Sequence, residues 1–545
     1  MKKRESIRKL YILVSLLFLM PPADGFVFVA NSLIAHNEGV TQNECVTQNE
    51  GIASNEGGQH SHDAAHNDVA EGNAVAEQRE IFVSLSGKDS NPGTHQKPLR
   101  SIQKAVNKLG PGKTVTLLAG VYELPDIIIL SAKGTSEGWI TFRGEKGARV
   151  ILDGMRLDIL NSKEYPSNNG LVQIQNAAYI RVQNIHVRNS HRAGISIQES
   201  KYVDVVNCIS ENSLSPGIAA WQRCTYIKVL GNTVINANDM KMSWAPYRGH
   251  EAPHEAISMA GPHHFEVAWN HVYNCQKEGI DVKETASFGI VHHNYVHDLK
   301  RQGLYIDGWF GQLQDIEMYD NVVHGCESGI AVSSEEGPNT KNLKIHHNLV
   351  YNNRATGLFF SRWGADNPRE FVQVYNNTFY RNGWGRDFSG DPQYWLSGGC
   401  YLFSTNLKDV RIINNIFAGN FPFEIGHTGR FDENWATQKN IDISYNLIHD
   451  VNTIDYPIYL HTWLKDSVYS MTGAHALQAD PLFIDAEHGD LRLKDNSPAG
   501  DGGYADPKDK DGNNGRHYIG AFPPGTSKDN FWWISNFPPQ IATPD

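Results

Sequence analysis

The run EGIDVKETASFGIVHHNYVHDLKRQGLYIDGW, residues 278–309, decides the fold. One kind of segment occurs in it twice, EGIDVK and QGLYID: a glycine, then apolar residues alternating with polar ones. That period of two belongs to a strand. Between them IVHHNYV alternates into an asparagine, Asn294, and out again. The asparagine pattern recurs on both sides as RVQNIHV, DVVNCIS, KVLGNTV, EVAWNHV, EMYDNVV, KIHHNLV, QVYNNTF, RIINNIF and DISYNLI. Its asparagines are Asn184, Asn207, Asn232, Asn270, Asn294, Asn321, Asn348, Asn377, Asn415 and Asn446, with gaps of 23 to 38 residues. The glycine-type segment recurs as AGISIQ, PGIAAW, EAISMA, SGIAVS and TGLFFS. A period near 24 with loop insertions lies in the solenoid range, and no repeat has a useful helical 3.6 pattern. The expectation is an all-β chain, a right-handed parallel β-helix, with each asparagine amide bonding the coils above and below it.

The 545 residues would suggest three or four domains at ordinary size, but one solenoid over 81–522 accounts for most of them. The net charge is -12 and no basic stripe is present, which argues against a nucleic-acid partner. Lys2, Lys3, Arg4, Arg8 and Lys9 precede an apolar run from Leu10 to Met20, and small residues follow at Ala23 and Gly25. This reads as a signal peptide over 1–25. The apolar run is about half of the ~20 residues that span a bilayer. The expectation is therefore a secreted or periplasmic protein with no integral membrane association after signal removal. Residues 26–80 read as a low-complexity linker, and 523–545 as a C-terminal tail. The six cysteines include no CxxC pair. Cys208 follows a repeat asparagine directly, and Cys275 and Cys326 follow one by five residues, so buried coil positions are expected rather than a bridge framework.

Residues 81–124, IFVSLSGKDSNPGTHQKPLRSIQKAVNKLGPGKTVTLLAGVYEL, resemble the N-terminal cap of exported β-helix carbohydrate-active enzymes. Within them SIQKAV reads as a short amphipathic helix able to cover the first coil. Residues 479–503 and the later RHYIGAF resemble the closing coils of the same proteins. The scaffold is shared by polysaccharide lyases and several glycoside hydrolases, so the resemblance implies a polysaccharide or oligosaccharide substrate without choosing the reaction.

Alternation places Asp281 and Lys283, then Tyr305 and Asp307, outward on successive coils. Trp309 continues outward if its strand persists. Glu335, Trp221 and Arg223 fall on the same face, Arg362 joins it only where its strand ends, and His254 and Glu255 stand at a strand entrance. Stacking makes Lys283 the direct neighbour of Asp307 and puts Asp281 diagonally beside it. The two long insertions carry Trp244, Tyr247, Trp384, Tyr394 and Trp395, residue types that suit sugar rings.

Glycoside hydrolysis needs two carboxyl groups. Asp281 and Asp307 are the first candidates, with Glu255 and Glu335 as further ones. Residues 278–309 resemble central coils of β-helix glycosidases, including the β-xylosidase type. By that resemblance Asp281 is the nucleophile and Asp307 the acid/base, where a glutamate is more usual. The competing reaction is β-elimination on a uronate, with Lys283 as base and calcium held by Asp281 and Asp307. A third reading is a β-helix that binds glycan without cleaving it. The hydrolase reading needs no cofactor and no metal. The doublets His263-His264, His292-His293 and His346-His347 read as turn packing, and DKDGNNG at 509–515 as a turn rather than a calcium loop.

Overall fold

The computed structural model describes residues 79–157, 169–239, 254–384, 397–428, 433–450, 458–459, 467–504, 517–528, 532–533 and 537–543. The signal peptide, nearly all of the 26–80 linker, the aromatic residues Trp244, Tyr247, Tyr394 and Trp395, and the 509–515 turn lie outside them.

The chain winds into a parallel β-solenoid of three sheets, each with thirteen strands among the described residues. One coil runs through His263–Ala268, His271–Tyr273 and Ile280–Glu284, and the next through Ser287–His292, Tyr295–His297 and Leu304–Gly308. Each asparagine pattern thus divides into a long strand and a three-residue strand, with the asparagine at the corner. The glycine-type segments form the third sheet. Alternate apolar residues of all three sheets point into one continuous core, in which Val267, Val272, Ile280, Val291, Val296 and Leu304 are fully buried.

The corner explains the asparagine. The residue before it takes a left-handed conformation in every coil from Asn184 to Tyr445, with φ between 50° and 64°. Glycine, asparagine and aspartate bear that conformation best. The turn leaves the next backbone N–H pointing along the solenoid axis, where the asparagine of the following coil accepts it. Asn270 Oδ1 accepts from the Asn232 N–H and side-chain amide, both at 3.0 Å, and its own amide donates to the Val229 carbonyl at 2.8 Å. The same links continue through Asn294, Asn321, Asn348, Asn377, Asn415 and Asn446. Asn184 and Asn207 are not in this column. They sit at the left-handed position itself, one residue early, and Cys208 occupies the ladder site, its N–H donating to Asn232 Oδ1 at 2.9 Å. A second ladder joins Asn353, Asn382 and Asn420 and ends on the buried carboxylate of Glu424. Cys326 precedes Asn353 in that column. Cys208, Cys224, Cys275, Cys326 and Cys400 are all free and buried.

Both ends are closed, as an open sheet edge requires. Helix α1 (Ile102–Val106) buries Ile102, Ala105 and Val106 over the first coil. At the other end Ser467–Met471 pairs antiparallel with Ile425–Thr428. The C-terminal segment then runs back along the left-handed column. Asn414 bonds Tyr504, and Asn376 donates to the Tyr518 carbonyl at 2.8 Å. Trp532 packs on Trp269 and His293, and Asn207 makes two 2.9 Å bonds to the Ile541 backbone. Among the described residues no helix is long and apolar enough to cross a membrane.

Candidate active site

Five strands of the third sheet carry the site: β1 (Ile257–Ala260), β2 (Ile280–Glu284), β3 (Leu304–Gly308), β4 (Ile330–Ser334) and β5 (Thr356–Phe360). The register sets Ser258, Asp281, Tyr305, Ala331 and Phe359 in one row across the coils. Ala260, Lys283, Asp307 and Ser333 form the next row. Lys283 is therefore across from Asp307, with Asp281 diagonal to it, as alternation predicts.

The face is not a solvent face. Asp281 is 0% exposed, Asp307 4% and Glu255 4%. Lys283 reaches back one coil: its Nζ is 3.0 Å from Glu255 Oε1 and 3.6 Å from Asp281 Oδ2. Ser258 donates to the other Glu255 oxygen at 2.8 Å. Tyr305 donates to Glu335 Oε1 at 2.5 Å. Both oxygens of Asp281 and one of Asp307 are buried without a hydrogen-bond partner. Leaving buried carboxyl oxygens unmet costs stability, and natural chains tolerate that mainly where chemistry needs it.

The electrostatics divide the acids. Burial, then the charge of Glu255, pushes the Asp281 carboxyl well above the usual range against the pull of Lys283. Burial, then Glu335, does the same to Asp307. Burial also raises Glu335, against the Tyr305 hydrogen bond. Burial would raise Glu255 too, but Lys283 and Lys277 outweigh it and hold that carboxylate low. For Lys283 burial favours the neutral amine, yet Glu255, Asp281 and Asp307 together keep it protonated well above the ordinary lysine value. The two partners agree: Glu255 and Lys283 are an ion pair, and burial favours the acid forms of the two aspartates beside it.

The other expected residues divide. Tyr305 and Glu335 join the cluster. His254, half-buried, is lowered to about 4 by burial and lies edge-on to Trp221 at 4.6 Å. Trp221 itself is buried and donates to Ser196 Oγ at 2.9 Å, a packing role. The expectation that Arg223 continues this face does not hold: its strand ends at Ala220, and Arg223 turns away to pair with Glu199 at the surface. Trp309 lies just beyond the end of β3, half-buried against Phe310. Arg362 lies over the Phe403 ring at 5.0 Å. Ser258, outward by alternation in AISMA, joins the cluster, and one member was not expected: Glu278, which is buried and pairs with Arg301 at 3.3 Å. Glu278 stands before the glycine of its segment, where strand alternation has not yet begun.

The arrangement does not fit calcium, which takes six to eight oxygens at about 2.3–2.6 Å. Lys283 Nζ stands between Glu255 and Asp281. Among the described residues no three His, Cys, Asp or Glu side chains converge on a point that could hold a metal ion. An open polar groove of about 680 Å³ lies elsewhere, lined by Asn212, Asn236, Asn274, Asp298 and Lys300 among others and by none of these carboxyls.

Residues 81–252 match the family model described as Pel9A-like, right handed beta helix region. Residues 169–342 and 254–370 match that of the right handed beta helix region. The chain is a right-handed β-helix similar to polysaccharide lyases and glycoside hydrolases. The protein YwoF of Bacillus subtilis is 26% identical over 470 residues, covering 77% of this chain and 92% of its own. Pectate lyase PEL9 of Emericella nidulans is 32% identical over 114 residues, 20% of this chain and 28% of its own. Among solved structures, pectate lyase Pel9A aligns with a TM-score of 0.47 at 14% identity, covering 83% of this chain and 98% of that one. XylC in complex with xylose aligns with a TM-score of 0.41 at 13% identity, covering 76% and 90%. The Pel9A-like match ends at residue 252, short of Glu255 and the carboxyl cluster.

Proposed function

We propose that this chain is an exported glycoside hydrolase and that Glu255, Asp281, Lys283 and Asp307 are its reacting centre. The observation that carries the reading is the Lys283 ammonium held between Glu255 and Asp281 at 3.0 and 3.6 Å. It makes one carboxylate ionised beside a protonated one, the pairing that glycoside hydrolysis requires. Asp281, neither of whose oxygens is hydrogen-bonded, is the proton donor to the leaving oxygen. Glu255 is the ionised partner that attacks the sugar or activates water. This departs from the nucleophile role that the resemblance implies for Asp281, because burial beside Glu255 favours its acid form. Two oxygens on one ammonium nitrogen cannot be further apart than the two spans laid end to end. That upper bound exceeds the ~5–5.5 Å of retaining enzymes and just reaches the lower edge of the ~6.5–9.5 Å range of inverting ones, so it admits either outcome. The ionised Glu255 keeps the local field negative where an oxocarbenium-like charge develops, while Asp307, next to Lys283 and raised by burial and by Glu335, is a second acid in reach.

The second reading, a polysaccharide lyase, is favoured by the likeness to pectate lyases in sequence. It needs Lys283 to give up its proton, and three carboxyl groups oppose that. The deciding experiment incubates the full chain with a polysaccharide panel, with and without chelator. Hydrolysis releases reducing ends without ultraviolet absorbance and is indifferent to the chelator. Unsaturated, absorbing products would overturn the hydrolase reading.

A further inference from the structure

The cluster has a charge imbalance that bears on which sugar can sit there. Glu255, Glu278, Asp281, Asp307 and Glu335 face one another across four coils. The cations near them are already committed. Lys283 is on Glu255, Arg301 is on Glu278 at 3.3 Å, and Lys277 is 4.0 Å from the other Glu278 oxygen. Further along the same face Arg362 lies over Phe403, and the buried Arg369 donates to Asp366 and to the Ser361 carbonyl. The Tyr305 hydroxyl is spent on Glu335. What remains is oxygens without a hydrogen bond: both of Asp281, one of Asp307 and one of Glu278 are buried, with lysine ammoniums no nearer than 3.6 Å to Asp281 and 4.0 Å to Glu278.

From this distribution we infer that the site takes a neutral, hydroxyl-rich glycan and rejects a uronate at the sugar that meets Asp281 and Asp307. The inference rests on reading the cluster as the catalytic site. Sugar hydroxyls donate to the unmet oxygens. A uronate carboxylate has no hydrogen to donate, so any oxygen of these acids that must accept stays unmet, and its charge adds like-charge repulsion. Buried polar groups left without partners discriminate strongly between otherwise similar ligands, and like charges facing each other suppress the wrong partner. Burial and the neighbouring carboxyls push Asp281 and Asp307 the same way, toward their acid forms, as crowded negative charge does.

The test uses matched pairs in which only the carboxyl differs. Polygalacturonate, alginate and glucuronan are each compared with their carboxyl-reduced forms, beside neutral xylan, arabinan, galactan and mannan. Retardation of the full chain in native gels containing each polysaccharide reads binding, and reducing ends read cleavage. The expected result is at least about tenfold stronger retardation by a neutral or reduced glycan than by its uronate parent, the scale of one charge–charge contact of a few ångströms at intermediate dielectric. Uronate binding should strengthen as the pH falls toward the uronate's own pKa. Equal or stronger binding of the uronate form overturns the inference, and so does retardation by no glycan at all. Uronate cleavage giving saturated reducing ends would overturn the substrate class and leave hydrolysis standing. Neutral glycan bound but never cleaved would do the reverse.

Discussion

Lys283 Nζ stands 3.0 Å from Glu255 Oε1, although the strand register places Lys283 across from Asp307 on the other side. The side chain thus links the coil before its own to the one after it. Both ends of the pair are largely buried, at 16% and 6% side-chain exposure. Removing one partner of such a pair strands a charge and costs about 3–5 kcal/mol, whereas removing both costs far less. Lys283→Met should therefore lower the unfolding midpoint strongly, and Glu255→Gln combined with Lys283→Met should recover much of the loss. Neither variant should regain activity. A single variant as stable as the parent in urea would show that the pair does not exist in solution.

Asp281 should trade stability for chemistry. Its ordinary value is 3.8 and its folded value is raised by burial. Between those two values the native state holds the extra proton, so stability falls as pH rises through the folded value. Asp281→Asn removes that dependence. The variant should be inactive yet about 1–3 kcal/mol more stable at neutral pH, with a gain that vanishes below pH 4. Denaturant melts at several pH values read it directly. Full activity in Asp281→Asn would remove Asp281 from the proton-donor role.

Glu255 carries the opposite sign. Its ordinary value is 4.5 and Lys283 holds the folded value lower against burial. Its contribution is complete above that ordinary value and is lost as pH falls through the folded one. Acid unfolding of the parent should accordingly begin below about pH 4.5, and Glu255→Gln should shift less over the same range.

The asparagine ladder can be tested by position. Asn321 satisfies the backbone and side-chain amides of Asn294, and its own amide donates to the Val291 carbonyl. Asn321→Ala leaves several buried groups unmet and should cost about 2–4 kcal/mol. Asn184 lies outside the ladder in a left-handed turn, so Asn184→Gly should stay within about 1 kcal/mol of the parent. Equal losses at the two sites would contradict the one-residue offset between them.

The C-terminal segment should act as a clasp. Trp533 is 8% exposed against Val322 and Leu349, and Ile541 is bonded to Asn207. Trp533→Ala should cost about 3–5 kcal/mol. Deleting 523–545 should lower the thermal midpoint at least as much, as differential scanning calorimetry would register.

The coil architecture, the strand faces and the register of Lys283 on Asp307 were all legible in residues 278–309, because period two and the repeated asparagine are local properties of the chain. Asn184 and Asn207 were misaligned by one residue because an asparagine can serve either the left-handed turn or the ladder beside it, and only the pairing of neighbouring coils distinguishes them. Glu278 escaped notice for a related reason. Its partner, Arg301, is reached through a turn whose direction no alternation encodes. The loss of Arg223 from the face has the same origin, since its strand stops at Ala220 and the chain turns away. Sequence alone therefore determined that this protein is a β-helix and which side chains leave its core. Tertiary structure decided that the outward face is buried, that Glu255 holds Lys283, and that Asp281 and Asp307 are pushed toward their acid forms. Those outcomes depend on desolvation and on charges brought together from different coils, which no single stretch of chain contains.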